Sequence, residues 1–254
     1  MRRTVLCTLL SLMCFCPSHA QTDVPGQNTN CHDYVDMGLS VLWATCNVGA
    51  TRPHELGNYY AWGEINPKNK FKPGNYKYYK LSVFKNPNLF GGGLEKYEVS
   101  KYGISNNEYD SVFDKFNDGK MVLERVDDVA SVEYGHGWSL PSIQDYEELF
   151  ENCKCDRVTI DGINCIRLTS NISGYENNYV IFPISGAMSH SSLTDKNKDK
   201  GKIWDNQLLY WTSCLSKDIN SKHAVALHAN EKNEIDYWNL FRFYGLPVRA
   251  IFNK

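Results

Sequence analysis

No stretch of this 254-residue chain is long and apolar enough to span a bilayer. A transmembrane helix needs about 20 apolar residues, and the apolar run from Val5 to Phe15 falls well short. A surplus of positive charge is missing too: 27 Lys and Arg stand against 29 Asp and Glu. The chain therefore has no global electrostatic reason to hold nucleic acid or an anionic lipid surface. The enzymatic signatures that can be read from spacing are absent as well: a Gly-x-Ser-x-Gly elbow, a His-Glu-x-x-His pair and a phosphate-binding glycine loop. Ile184-Ser185-Gly186 lacks the glycine two residues before the serine, so Ser185 reads as a turn residue. No internal repeat is visible. No residue pattern calls for a cofactor.

The first twenty residues read as an export signal. Arg2 and Arg3 form a basic start, Val5 to Phe15 is an apolar core of signal length, and Ser18-His19-Ala20 places small residues before a cleavage point at Gln21. A lipoprotein fits less well, because small residues do not precede Cys14 or Cys16. The expected location is extracellular, cell-surface or periplasmic. Residues 21–31 form a polar leader, and residues 32–254 form one domain of generous size. Removing Arg2 and Arg3 leaves 25 basic residues against 29 acidic, a formal charge of −4. Of nine cysteines, Cys7, Cys14 and Cys16 leave with the signal. Cys31, Cys46, Cys153, Cys155, Cys165 and Cys214 remain as disulfide candidates with the pairing open. Cys153-x-Cys155 is a poorer metal site, since no second Cys/His pair with zinc spacing follows.

Periodicity is short and strand-like. Val158 to Ile160 and Ile163 to Leu168 flank Asp161-Gly162, a dipeptide suited to a two-residue hairpin turn. Tyr179 to Ile184, Leu208 to Thr212, His223 to His228 and Val248 to Phe252 are further strands. One helix is well marked. Pro141 ends an extended segment, Ser142 can cap, Asp145 three residues on gives a weaker form of the capping box that normally uses Glu or Gln, and Ile143, Tyr146, Leu149, Phe150 and Cys153 recur at helical spacing. The region from Asn66 to Asp118, rich in Tyr, Asn, Lys and Gly, reads as long loops, and so does Ser189 to Lys202. The Lys68 to Lys80 stretch reads as solvated loop rather than a basic patch.

Candidate functional residues are few. Tyr59, Tyr60, Trp62, Tyr237 and Trp238 are the candidate ligand contacts, since exposed rings stack on sugars or peptides; burial between sheet and loops is the alternative. Trp43 and Trp138 are assigned to the core. Asp127 and Asp128 form either a cation or hydrogen-bonding site or a pair of turn residues capping backbone amides, the second being the better reading. His223 and His228, five apart on a strand, cannot easily share a metal.

Six runs in fixed order carry a resemblance: Asp36–Ala50, Gly57–Gly63, Asp127–Ala130, Gly137-Trp-Ser-Leu-Pro-Ser142 with Tyr146–Leu149, Tyr210–Ser213 and Tyr244–Ala250. With Val180–Gly186 as a variant strand–proline segment, the chain resembles the Fibrobacter succinogenes major paralogous domain, found in exported proteins of Bacteroidota-type bacteria. That resemblance implies an α+β, C-type-lectin-like fold related to the formylglycine-generating-enzyme architecture, with a twisted antiparallel sheet, few helices and long loops. It implies no activity. Asn66-Pro67-Lys68 and Trp204-Asp205-Asn206 are similar to the Glu-Pro-Asn loop and Trp-Asn-Asp strand of calcium-dependent lectins, but lack the paired carboxylates that a hard cation needs. The reactive cysteine arrangement of formylglycine-type oxidation is not identifiable. Two function classes stand. One is an exported binding module for a glycan or a surface protein; the other is an exported enzyme or enzyme accessory domain. A fibre subunit would need an inserting strand, for which Gln21 to Asn30 is too polar.

Overall fold

The computed structural model describes residues 33–83, 95–99, 101–102, 118–190, 201–217 and 222–254. The expected export signal, the polar leader and Cys31 lie outside these residues. The fold is mostly antiparallel β-sheet with two short α-helices among the described residues.

The organising sheet runs in the order β1 (Tyr34–Val35), β2 (Val41–Asn47), β14 (Arg249–Asn253), β5 (Trp138–Ser139). Every residue of β2 is buried, which explains its continuous apolar composition: it is covered on both faces. The C-terminal strand β14 lies beside it, with Arg249 opposite Asn47 and Ile251 opposite Trp43. The two ends of the domain are therefore stitched together. A second sheet joins β6 (Cys153–Ile160), β7 (Ile163–Ser170) and β8 (Tyr179–Pro183). A third joins β11 (Leu208–Leu215), β12 (His223–Ala229) and β13 (Ile235–Phe241). The short pair β9 (Ala187–Met188) and β10 (Lys202–Ile203) leads into β11.

The locally encoded features appear as read. Asp161 and Gly162 turn the β6–β7 hairpin with φ of 49° and 80°, the doubly positive geometry of a tight two-residue turn. Helix α2 (Ile143–Glu151) begins at Ser142, whose Oγ accepts from Asp145 N at 3.2 Å while Asp145 Oδ2 accepts from Ser142 N at 2.7 Å. Tyr146 and Leu149 face the core. The helix stops at Glu151, so Cys153 opens β6 instead of adding a helical turn. A second helix, α1 (Val129–Tyr134), carries no helical signal in the sequence, because its six residues are too short for a period to show. The Asn66–Asp118 region is not loop throughout: β3 (Tyr79–Val83) pairs with β4 (Glu95–Val99). Tyr76 and Tyr78 are buried, so the Lys-rich stretch is not simply solvated.

Two apolar clusters fill the interior. One gathers Trp62, Tyr102, Trp211 and Leu246; the other gathers Trp43, Tyr146, Phe182 and Tyr210. Trp43 and Trp138 are buried as expected.

The disulfide expectation needs correction at four positions. Cys153, Cys155, Cys165 and Cys214 are free thiols. Cys153 and Cys155 sit two apart on one strand, about 6.6 Å between Cα atoms with parallel side chains, at the edge of what a disulfide spans. Cys165 lies opposite Val158 on one side and Pro183 on the other, and Cys214 belongs to another sheet. Cys46, fully buried on β2, is disulfide-bonded, though to none of these four.

Candidate functional site

Two buried arginines set the frame on which any site rests. Arg249, on β14, has no exposed surface. All five of its N–H donors are used: Nε to Asn47 Oδ1 (2.9 Å), Nη1 to the carbonyls of Ala44 (2.9 Å) and Thr45 (2.7 Å), Nη2 to those of Ile181 (2.6 Å) and Pro53 (3.5 Å). Its guanidinium lies 4.8 Å from the centre of the Phe182 ring. Burial lowers its pKa, and the five oxygens are what keep such a charge tolerable. Arg242, just after β13, is also fully buried. It donates to Tyr76 Oη (3.0 Å) and to the carbonyls of Tyr102 (2.9 Å) and Lys101 (2.8 Å). The rings of Trp62, Tyr76, Tyr78 and Tyr102 surround it at 5.0–5.7 Å.

Asp127 and Asp128 divide the two roles between them. Asp128 is the capping residue: Oδ1 accepts from Ala130 N (2.9 Å) and Ser131 N (3.2 Å), and Oδ2 from Leu140 N (2.8 Å). Burial pushes its carboxyl up to about 6, against the pull of those three amides. Asp127 instead anchors a charged network. It accepts from Lys101, from Lys77 Nζ at 3.1 Å and from Tyr102 Oη at 2.7 Å, and Glu124 accepts from Lys101 at 2.5 Å. Against the opposing cost of burial, these partners hold the Asp127 carboxyl well below the usual carboxylate range. The two therefore act with opposite sign. Stability owed to Asp127 is present above its unfolded value near 4 and is lost as pH falls below it. The Asp128 contribution is present below that value and is lost as pH rises through about 6. Carboxyl-resolved NMR titration should show Asp128 titrating near 6 and Asp127 still ionised at about pH 3.

The candidate ligand contacts separate just as sharply. Tyr60 and Trp62 belong to the core, 2% and 0% exposed, because both are held against β11, where Trp211 Nε1 donates to Tyr60 O at 2.8 Å. Trp62 Nε1 donates to Thr212 O at 2.9 Å. They present no ring to a ligand. Tyr237 sends its hydroxyl to Ile143 O at 3.1 Å and packs toward α2. Tyr59 donates to Ser185 O at 2.5 Å, and burial together with nearby Asp205 raises its pKa. Trp238 remains half-exposed on β13.

Around Trp238 the fold brings together residues that lie far apart in the sequence. Trp204 is 38% exposed and meets Trp238 edge-on at 5.4 Å and Tyr244 at 6.1 Å. Its φ is +53°, a left-handed conformation that bulky residues adopt only under constraint. The constraint is visible. Gln207 N donates to Trp204 O and Gly186 N to Gln207 O, each at 2.9 Å. A Cβ on Gly186 would sit 2.8 Å from Ile203 O and 3.0 Å from Trp204 O, so only glycine lets the turn approach this closely. Ser185 Oγ accepts from Leu209 N (3.0 Å) and donates to Leu209 O (2.7 Å), which ties the same corner to β11.

His228 fixes the turn from the other side. Its ring stacks on Trp238 at 3.9 Å, Nδ1 meets Asp236, and Nε2 meets Gln207 Oε1 at 2.7 Å. Both ring nitrogens are thus engaged, and the imidazole serves as a positioning group. Beside this turn an open cleft of about 500 Å³ is lined by Arg157, Asn164, Ile184, Asp205, Asn206 and Glu231. Among the described residues no group of three His, Cys, Asp or Glu is placed to hold a metal ion, and no helix is long and apolar enough to cross a membrane.

No family model matches the chain, and neither a curated protein nor a solved structure matches it.

Proposed function

We propose that this chain is an exported, non-catalytic binding module on a C-type-lectin-like scaffold, and that it recognises a glycan or a surface protein through the face built around Trp204. The observation that carries this reading is Trp204 itself: an exposed indole held in left-handed backbone by a glycine-dependent corner, beside a polar cleft. An exposed ring whose turn is secured on two sides resembles a preorganised contact. The competing reading, an exported enzyme or accessory domain, would draw on the His228–Asp236 pair. With Nε2 already bonded to Gln207, no imidazole nitrogen is left to take a substrate proton. A printed glycan and peptide array probed with residues 21–254, with and without EDTA, is expected to give hits that EDTA does not abolish. An empty array together with turnover in a hydrolase substrate panel would sink the binding-module reading.

A further inference from the structure

Resting on that binding reading, we infer that the cleft beside Trp204 takes an uncharged, hydroxyl-rich ligand, a neutral glycan residue, rather than an anionic sugar or a peptide. Charge in the lining disfavours an anion. Two carboxylates, Asp205 and Glu231, face one guanidinium, Arg157. Arg157 Nη2 donates to Asn230 O at 2.5 Å, which fixes the guanidinium against the β12–β13 turn and leaves its charge outnumbered by the two carboxylates. A carboxylate or sulfate entering here would meet a lining of net negative charge, which disfavours a second anion.

The lining chemistry points the same way. Asp205, Asn206, Glu231 and Asn164 offer planar amide and carboxylate groups, each able to serve a pair of adjacent hydroxyls. Asn206 Nδ2 donates to Glu231 Oε1 at 2.7 Å, and Asn164 Oδ1 accepts from Thr159 Oγ1 at 3.0 Å. The polar groups are therefore held in place while retaining lone pairs and N–H groups for a ligand. Ile184 supplies an apolar patch in the floor, and the cleft volume falls within the ~300–1,000 Å³ typical of small-ligand sites. Trp204, one residue before Asp205 and outside the cleft lining, adds an exposed indole next to it, the kind of ring that stacks on the C–H side of a sugar. Five of the six lining residues carry polar or charged side chains, a set that gives adjacent hydroxyls more partners than it gives the apolar side chains by which a peptide is anchored.

The test is an affinity comparison on residues 21–254. Immobilised neutral oligosaccharides (hexose and N-acetylhexosamine polymers), uronic-acid polymers, sulfated polymers and a lysine-rich peptide serve as probes. The expected result is binding to at least one neutral oligosaccharide, weakened tenfold or more in both Asn206→Ala and Glu231→Gln, with melting temperatures unchanged. Both substituted residues are solvent-exposed, so a folding defect would show as a shifted melt, and binding should then be read from the variant that melts normally. Binding confined to the acidic polymers or to the peptide would overturn the neutral-glycan inference and leave the binding module standing. Neutral binding that neither substitution weakens would overturn the placement in this cleft. Silence from every probe would overturn both.

Discussion

Replacing Arg249 by Met is expected to cost about 4 kcal/mol or more of folding stability, measured as a shift in the denaturant midpoint with an unchanged slope. The side chain is fully buried and its five donors go to oxygens from three parts of the chain: β2, the segment at Pro53, and β8. Methionine fills similar volume but leaves those oxygens without donors, and an unsatisfied buried group costs ~1–3 kcal/mol. Lysine should recover little, because three donors on a point charge cannot reproduce a planar fork that reaches in several directions. A loss below about 1 kcal/mol for Arg249→Met would mean that neighbouring backbone or water resupplies the donors, and that the arginine is not the tie between the sheets.

The second large effect is expected at Arg242. Arg242→Met should cost roughly 3 kcal/mol, from loss of the hydrogen bonds to Tyr76, Tyr102 and Lys101 and of the cation–π contacts with the surrounding rings. Its signature should be local. The carbonyls of Lys101 and Tyr102 are held by this guanidinium, and Lys101 in turn pairs with Asp127. Loss of the arginine should therefore make the chain near Lys101 susceptible to limited proteolysis well before the β2–β14 pairing opens. Uniform destabilisation with no new cleavage near Lys101 would contradict this account.

How much of this was legible in the sequence follows from how local each feature is. The Asp161-Gly162 turn and the Ser142 cap depend on residues a few positions apart, so composition alone carries them. The pairing of β14 with β2 joins residues about two hundred positions apart, and no period in either strand reports it. Arg242 stands in the sequence among Phe241, Phe243 and Tyr244, neighbours that do not tell a buried arginine from an exposed one. Its burial is produced by Trp62, Tyr76, Tyr78 and Tyr102, which arrive from elsewhere. The same distance effect applies to Tyr60 and Trp62, expected as ligand contacts: an aromatic run does not say which side of it the rest of the chain covers. Trp204 was visible only as an imperfect copy of a calcium-lectin motif. Its left-handed backbone, its closeness to Gly186 and its packing on Trp238 are properties of three segments meeting. Gly186 was the one signal in the sequence, as the end of the Val180–Gly186 run.

The central claim is that Trp204 faces a ligand. Its most direct test is the glycan and peptide array run side by side with wild-type and Trp204→Ala protein of matched melting temperature, with Trp204→Phe as the variant that keeps a ring. The account predicts that array signals fall tenfold or more in the alanine variant, about 1.4 kcal/mol, and are partly kept by phenylalanine. Array signals of equal strength in wild-type and alanine proteins would contradict it.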